Sequence, residues 1–313
     1  MGTSNMIRWA AMDADYPDYP DYLVRPMLVG DAEEVERLTD EVFFDLETRQ
    51  HRTGWPAPAH RSPQGATGWA AKAAHDVRHD PRGCFVAEDA AGILGAVISK
   101  RRDTTWLLST LAVRRGVQGR GVGRQLLDAA LAYGAGCLRG MIGSSEDPLA
   151  VRRYRLAGFT LHPQMLLWGA VPRAALPVVE RVREGSAGDI ALLDSVDRQV
   201  RDSAHGVDHE LLLRTHRLVV VDRPTGSGYA YVRPGGAPYL LAATNRRTAT
   251  TLLWETLAAT DPDVPVSIDH VTSANEWAID VGMACRMELW TRGYLALRGM
   301  RPPSPYLHSG HFL

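Results

Sequence analysis

The chain has 313 residues, a formal net charge of -1 (35 basic against 36 acidic side chains) and 45% hydrophobic residues, a length that suggests two domains, each able to bury its own core. The balanced charge supplies no positive field for nucleic acid or an acidic membrane, and no apolar run approaches the ~20 residues of a membrane helix. No signal-sequence pattern opens the chain, and Cys84, Cys137 and Cys285 fit neither a disulfide framework nor a C-x-x-C metal site, so a cytoplasmic protein without metal is expected.

Residues 1–20, rich in Tyr, Asp and Pro, read as a flexible tail. A short strand, YLVRPML, leads to Gly30-Asp31 and a helix with Val35, Leu38, Val42 and Leu46 on one face. A Pro- and Gly-rich loop, 54–68, precedes a helix near 69–78. Strands follow at 84–88, 93–99 and 105–113, then a glycine-rich turn at 116–123 and a helix over 124–133. A strand near 138–143 meets Asp147-Pro148, an N-cap followed by proline at the first helical position. That helix stops at Gly158, and 159–171 is strand-like.

After a linker at 171–177 the order begins again. A strand at 179–183 and SAGDIALL (186–193) match the first strand and DAEEVERL (31–38). Strands at 217–221, 227–233 and 238–243, a helix at 247–259, a strand at 264–269, a helix at 273–281 and a final strand after Gly282-Met283 complete the set. The chain therefore reads as a degenerate tandem repeat of one α/β unit, at 21–172 and 173–300, with a proline-broken tail at 301–313 that either tucks into a groove or frays.

The most informative stretch is LAVRRGVQGRGVGRQLL, 111–127. A helix N-terminus presents unpaired N–H groups and the positive end of its dipole, which attract phosphate. Glycines let the backbone approach a diphosphate and turn successive N–H groups into one concavity. No Lys-Ser/Thr pair follows, which excludes a P-loop. The glycine spacing and the antiparallel strands before it do not suit a dinucleotide fingerprint.

Gln118-x-x-Gly121-x-Gly123 after a strand resembles the acetyl-CoA motif of the GNAT acetyltransferase superfamily. The second motif of that family resembles DPLAVRRYRLAGF, with Asp147 where asparagine is usual, then Ala150, Tyr154 and Gly158-Phe159. The resemblance covers about 22–171 and, more weakly, 178–298. It implies an α/β (α+β) fold: two tandem GNAT-like domains, each a mixed, mostly antiparallel sheet flanked by helices. It also implies that strands 105–113 and 138–143 splay apart. The pantetheine arm of acetyl-CoA would then lie along Leu111, Ala112 and Val113. Its diphosphate would rest on Gln118, Gly119, Arg120, Gly121, Val122, Gly123 and Arg124, and Tyr154 would protonate the departing thiolate. Taken without the motif, the glycine run reads as a mobile turn and Tyr154 as an amphipathic residue packed on the sheet.

Many members carry a glutamate four residues before the L-x-V triplet; here that position is Leu107, and its neighbours 106 and 108–110 offer no carboxylate. Asp45, Glu47, His51 and Glu88 are the alternatives. The segment expected to cover the acceptor holds His51, Trp55, His60 and Trp69, either as an aromatic lid or as loop packing. In the second copy AATNRRTATTLL (242–253) has no glycine, and SANEWAIDVGM (273–283) has no tyrosine, so coenzyme binding there is expected to be lost. The implied activity is acetyl transfer from acetyl-CoA to a primary amine of a small molecule. The alternatives are a non-catalytic acyl-CoA-binding or regulatory module and a vestigial structural protein. Neither nucleic acid nor membrane is an expected partner, and monomer and homodimer both remain open.

Overall fold

The structure, a computed structural model, describes residues 22–313, so the expected tail at 1–20 lies outside the described residues. The first half runs β1 (Leu23–Pro26), α1 (Ala32–Gln50), α2 (Pro63–His79), β2 (Cys84–Asp89), β3 (Gly92–Arg102), β4 (Thr105–Val113), α3 (Val122–Tyr133), β5 (Arg139–Ser144), α4 (Pro148–Leu156) and β6 (Thr160–Gly169). The second repeats that order as β7 (Arg183–Glu184), α5 (Ile190–Arg201), α6 (Asp208–Thr215), β8 (Arg217–Val221), β9 (Gly228–Val232), β10 (Pro238–Ala243), α7 (Arg246–Ala258), β11 (Val266–Thr272), α8 (Glu276–Ala284) and β12 (Glu288–Arg298), and ends in β13 (Tyr306–Leu307). Both halves are sheets flanked by helices, the first mixed through its parallel β4–β5 ladder and the second antiparallel throughout its described pairings, the tandem fold implied by the sequence.

Several boundaries differ from the pattern reading. Helix α2 starts at Pro63, inside the expected loop, because Ser62 accepts from the Gly65 N–H and proline occupies the first turn. Helix α6 falls in a stretch without a recognised period. Strand β7 is two residues long and begins where a longer strand was expected to end. The positive-φ residue after α8 is Arg286, whereas Gly282, expected to end that helix, lies within it against Leu167. The tail is packed: Tyr306, Leu307, Phe312 and Leu313 are buried, and β13 pairs with β10.

The two halves exchange their last strands. One sheet runs β1-β2-β3-β4-β5-β12-β6-β11, the other β13-β10-β9-β8-β7. Strand β12 of the second half pairs with β5 of the first, from Tyr294↔Ser144 to Arg298↔Gly140. Strand β6 of the first half pairs with β11 of the second, from Val266↔Gly169 to Thr272↔Gln164. The two exchanged strands also pair with each other. Separating the halves would therefore expose several rows of unpaired backbone groups.

Bulges shape this sheet. Opposite the step Ile98/Ser99 of β3, Ser109 is the extra residue of β4. The parallel ladder between β4 and β5 stops just before it, at Leu108↔Ile142, so the strands diverge beyond that point. Register also shifts between Ile268 and Val271 of β11, and between Thr291 and Tyr294 of β12. The core beneath α3 and α4 includes Trp106, Leu108, Val122, Leu126, Tyr154 and Phe159, and that beneath α1 and α2 includes Val35, Leu38, Ala73, Val77 and Val86.

A buried charge network joins the halves away from the shared strands. Lys100 Nζ lies 2.9 Å from Asp76 and 3.9 Å from Asp208 of the second half. Arg102 bonds both Asp80 and Asp208 at 2.7 Å. Burial acts to raise the Asp76 pKa, but the charges of Lys100 and His311 outweigh it and hold the carboxyl at about 2. His311, 2.9 Å from Asp76, is itself lowered to about 4 by burial, against the pull of that carboxylate. Removing one member of a buried pair strands the other charge. Asp76→Asn is therefore expected to destabilise the chain by about 3 kcal/mol, read from its denaturation midpoint.

The acid limb has a definite sign. Burial also lowers His270 to about 4 and puts His308 well below its ordinary value. With folded pKa values beneath the unfolded ~6.5, these histidines contribute fully above that pH, and the contribution is lost as pH falls toward 4. Each titrating histidine costs up to about 1.4 kcal/mol per pH unit. The melting temperature should fall steadily from pH 7 to pH 4.5; a flat profile contradicts the assignment.

Candidate active site

The turn after β4 is the segment expected to cradle the diphosphate. A short 3-10 segment, Arg115–Val117, leads to Gln118, whose side-chain amide donates to the Val113 carbonyl at 3.0 Å and folds the turn back on the strand. Gly119 has φ +83° and Gly121 φ +92°, the left-handed region that favours glycine. A Cβ at Gly119 would meet nothing within 4 Å, so backbone conformation, not space, calls for glycine there. Gly121 is the N-cap of α3 and no side chain caps the helix. Arg124 and Gln125 donate back to the Gly121 carbonyl, which leaves the preceding amides of Val122 and Gly123 at the open end of the dipole.

Gly119, Gly121 and Arg124 line a groove of about 460 Å³ between α3 and α4, together with Leu127, Arg152 and Arg153. Arg152 and Arg153 were not singled out in the sequence; their position on the helix carrying Tyr154 is the signal that marks them. Of the arginines around the turn, Arg124 faces the groove, Arg115 pairs with Asp45, and Arg114 donates to the Ile93 carbonyl. Leu111, Ala112 and Val113 pair with β3 on one side, while the ladder to β5 has ended at Leu108.

Asp147 caps α4 through the N–H groups of Leu149 and Ala150. That helix carries Tyr154 into the core below α3, only 5% exposed. Burial and the charge of Asp147 raise its phenol pKa well above the ordinary value, so it stays protonated at neutral pH. Leu107 is fully buried against Met141, Leu295, Leu297 and Leu313, so an apolar contact occupies the position where many members carry a glutamate.

A second cavity, about 590 Å³, opens near the end of β5 and is built by both halves. The first contributes Glu47, His51, Arg52, Trp55, Ser144 and Glu146; the second contributes Arg233, Asp269, His270, Arg292 and Gly293. Three ion pairs line it: Arg52–Glu146 at 2.9 Å, Arg292–Glu47 at 2.7 Å and Arg233–Asp269 at 2.8 Å. Burial acts to raise the Asp269 pKa, but Arg233, His270 and Ser267 keep it below the usual carboxylate range. Arg52 and Arg292 both lie over the Trp55 ring, which meets Trp290 edge-on.

Among the expected bases, Glu47 and His51 reach this cavity, whereas Asp45 is paired with Arg49 and Arg115, and Glu88 with Arg25. Of the four expected lid residues, His51 and Trp55 line it. His60 stacks on Phe44 and bonds Asp40, and Trp69 is buried in the core. Glu146, Asp269 and His270 are additions that no motif marked, since the tertiary fold alone collects them.

The second half closes its equivalent of the cradle. Asn245 caps α7 by accepting from the Thr248 N–H and donates to the Thr225 carbonyl. The loop packs so closely that a Cβ on Gly226 would stand 2.0 Å from the Asn245 amide nitrogen. The helix end is thus occupied by its own cap, and Thr248, Thr250 and Thr251 sit in regular helix.

Residues 80–161 match the sequence family described as "Acetyltransferase (GNAT) domain". Over that stretch the chain is similar to GNAT acetyltransferase domains. The fold likeness extends further. A putative acetyltransferase from Pyrococcus horikoshii superposes with a TM-score of 0.71 at 14% identity, covering 96% of this chain and 98% of that one. GCN5-related N-acetyltransferases from Sphaerobacter thermophilus (TM-score 0.56, 15% identity, 91% and 98% covered) and Kribbella flavida (0.53, 14%, 89% and 72%) share the fold. Comparison with curated protein sequences found no match. Among the described residues no helix is long and apolar enough to cross a membrane.

The contrast between the two helix ends gives a direct test. Gly121→Trp should lower coenzyme A affinity at least ~100-fold by calorimetry, through a side chain in the groove and a backbone strained at positive φ. Asn245→Ala should leave that affinity unchanged.

Proposed function

We propose that the GNAT domain transfers an acetyl group from acetyl-CoA to a primary amine of a small molecule, by direct attack within a ternary complex. The observation carrying this reading is the uncapped glycine turn at the head of α3, adjoining an arginine-lined groove and a diverging strand pair. The amides of Val122 and Gly123 bind the diphosphate, and Arg124, Arg152 and Arg153 neutralise phosphate charge. The free edge of β4 from Leu111 to Val113 aligns the pantetheine arm. The amine, arriving as the free base, attacks the thioester carbonyl, the C–S bond breaks, the Tyr154 phenol gives its proton to the departing sulfur, and the proton shed by the new amide nitrogen returns the tyrosinate to the phenol through water. The acceptor occupies the cavity shared by the halves, where Trp55 and Trp168 offer apolar faces and the ion pairs offer polar ones.

A non-catalytic acyl-CoA-binding role is the second reading, favoured by one observation: Leu107 is sealed in an apolar contact where the family commonly has a carboxylate. Tyr154→Phe separates the two. Thiol release in the presence of amines, amino acids, aminoglycosides and peptides should fall ~100-fold or more, while coenzyme A affinity stays within about twofold. Wild-type protein that binds acetyl-CoA yet releases no thiol with any of these acceptors would establish the binding module.

A further inference from the structure

We propose that Asp194, Asp197, His205 and His209 form a structural site for a divalent ion of the zinc class, in the second half of the chain and independent of acetyl transfer. Asp194 and Asp197 stand three residues apart on α5 and so share one face of it. His205 lies in the connection to α6 and His209 near its start. His209 Nε2 is 3.3 Å from Asp194 Oδ1 and 3.2 Å from Asp197 Oδ2, and His205 Nδ1 is 2.7 Å from the same Asp197 oxygen. Bonds of ~2.0–2.1 Å in a tetrahedral zinc site put neighbouring ligand atoms roughly 3.3–3.4 Å apart. Two of these contacts already have that spacing. The third is a hydrogen bond that an ion would replace by taking the proton's place.

The surroundings are those of a ligand set held from outside. The other ring nitrogen of His205 lies 3.3 Å from the Tyr306 hydroxyl, and that of His209 lies 3.0 Å from the Tyr231 hydroxyl. The second oxygen of Asp197 accepts from Tyr229 at 2.5 Å. Asp194 is fixed by the Gly206 N–H. Three tyrosines thus orient the outward atoms of three inward ligands, the role outer partners play around metals. Asp197, His205 and His209 are fully buried, and the Asp194 side chain, 18% exposed, faces a route from solvent. Arg201, a buried cation nearby, donates to the Ser203 carbonyl and lies over the Tyr306 ring. None of the four lines either cavity. A comparable group, His75, Asp76 and Asp208, differs in that Lys100 and Arg102 already neutralise its carboxylates.

An ion here would pin α6 to α5, and α6 carries the Asp208 that holds Arg102 and His75 of the first half. The test uses the full chain without an affinity tag, stripped with a chelator and then titrated with Zn²⁺ by calorimetry and with Co²⁺ by visible absorption. One equivalent of each should bind, Co²⁺ with the intense bands of a tetrahedral site, and the melting temperature should rise with added zinc. Asp194→Asn, at the most exposed position of the four, should fold and bind Zn²⁺ at least ~10-fold more weakly; His209→Gln should lose the cobalt bands. The proposal is overturned if the stripped protein takes up no stoichiometric metal, or if wild type and Asp194→Asn bind zinc equally.

Discussion

The exchange of β6 and β12 is the constraint on which the rest depends. Strand β12, from the far end of the chain, lies beside β5 and continues the sheet past the point where β4 and β5 part. Reciprocally, the second half receives β6 beside β11. Antiparallel ladders satisfy the backbone of each borrowed strand, so the halves share a sheet instead of merely touching. The larger cavity follows from this. Its residues Arg292 and Gly293 lie in the register shift of β12, and Asp269 and His270 in that of β11, so both irregularities fall in ladders that join the halves through β6.

The two copies diverge where one helix begins. At α3 the residue before the helix is a positive-φ glycine with no side chain to offer, so the dipole end stays open. At α7 it is Asn245 in extended conformation, whose side chain satisfies the helix and ties it to the preceding loop. The same secondary structure is stabilised in both cases. Capping makes one helix self-sufficient, whereas leaving it uncapped keeps a partial positive charge available to a ligand. The second copy therefore keeps its fold with that helix end closed. What it supplies instead is half of the shared cavity and the carboxylate of Asp208, buried between Lys100 and Arg102.

Local features were the legible part of the sequence. Gln118, Gly121, Gly123, the Asp147-Pro148 cap and Tyr154 each act through neighbours within a few residues, and the repeat appears as a recurring order of periods. The strand exchange has no such signature, because a strand's pattern records that one face is buried and not whose strand lies beside it. Contacts across the exchange are illegible for the same reason: Glu146 accepts from the Gly293 N–H, and Glu47 pairs with Arg292. Helix α2 was read too short because Ser62-Pro63 carries its start signal amid prolines that resemble a loop. The inward-turned tail is an even choice in the sequence, and packing decides it, since Tyr306 and Phe312 fill one core and Leu313 another.

Leu107 sits where the borrowed strand and the returning tail meet. A carboxylate at that position would need water or a cation beside it. The exchange puts Leu295 and Leu297 of β12 there, and the returning tail adds Leu313, so the site is dry and apolar. With those neighbours a leucine is the residue that packs without penalty. Charged groups near the end of β5 are found instead on the cavity wall, as ion pairs contributed by both halves. The apolar surround of Leu107 is thus coupled to the borrowed strand and the tucked tail, and the charged wall of the shared cavity is a property of the whole chain.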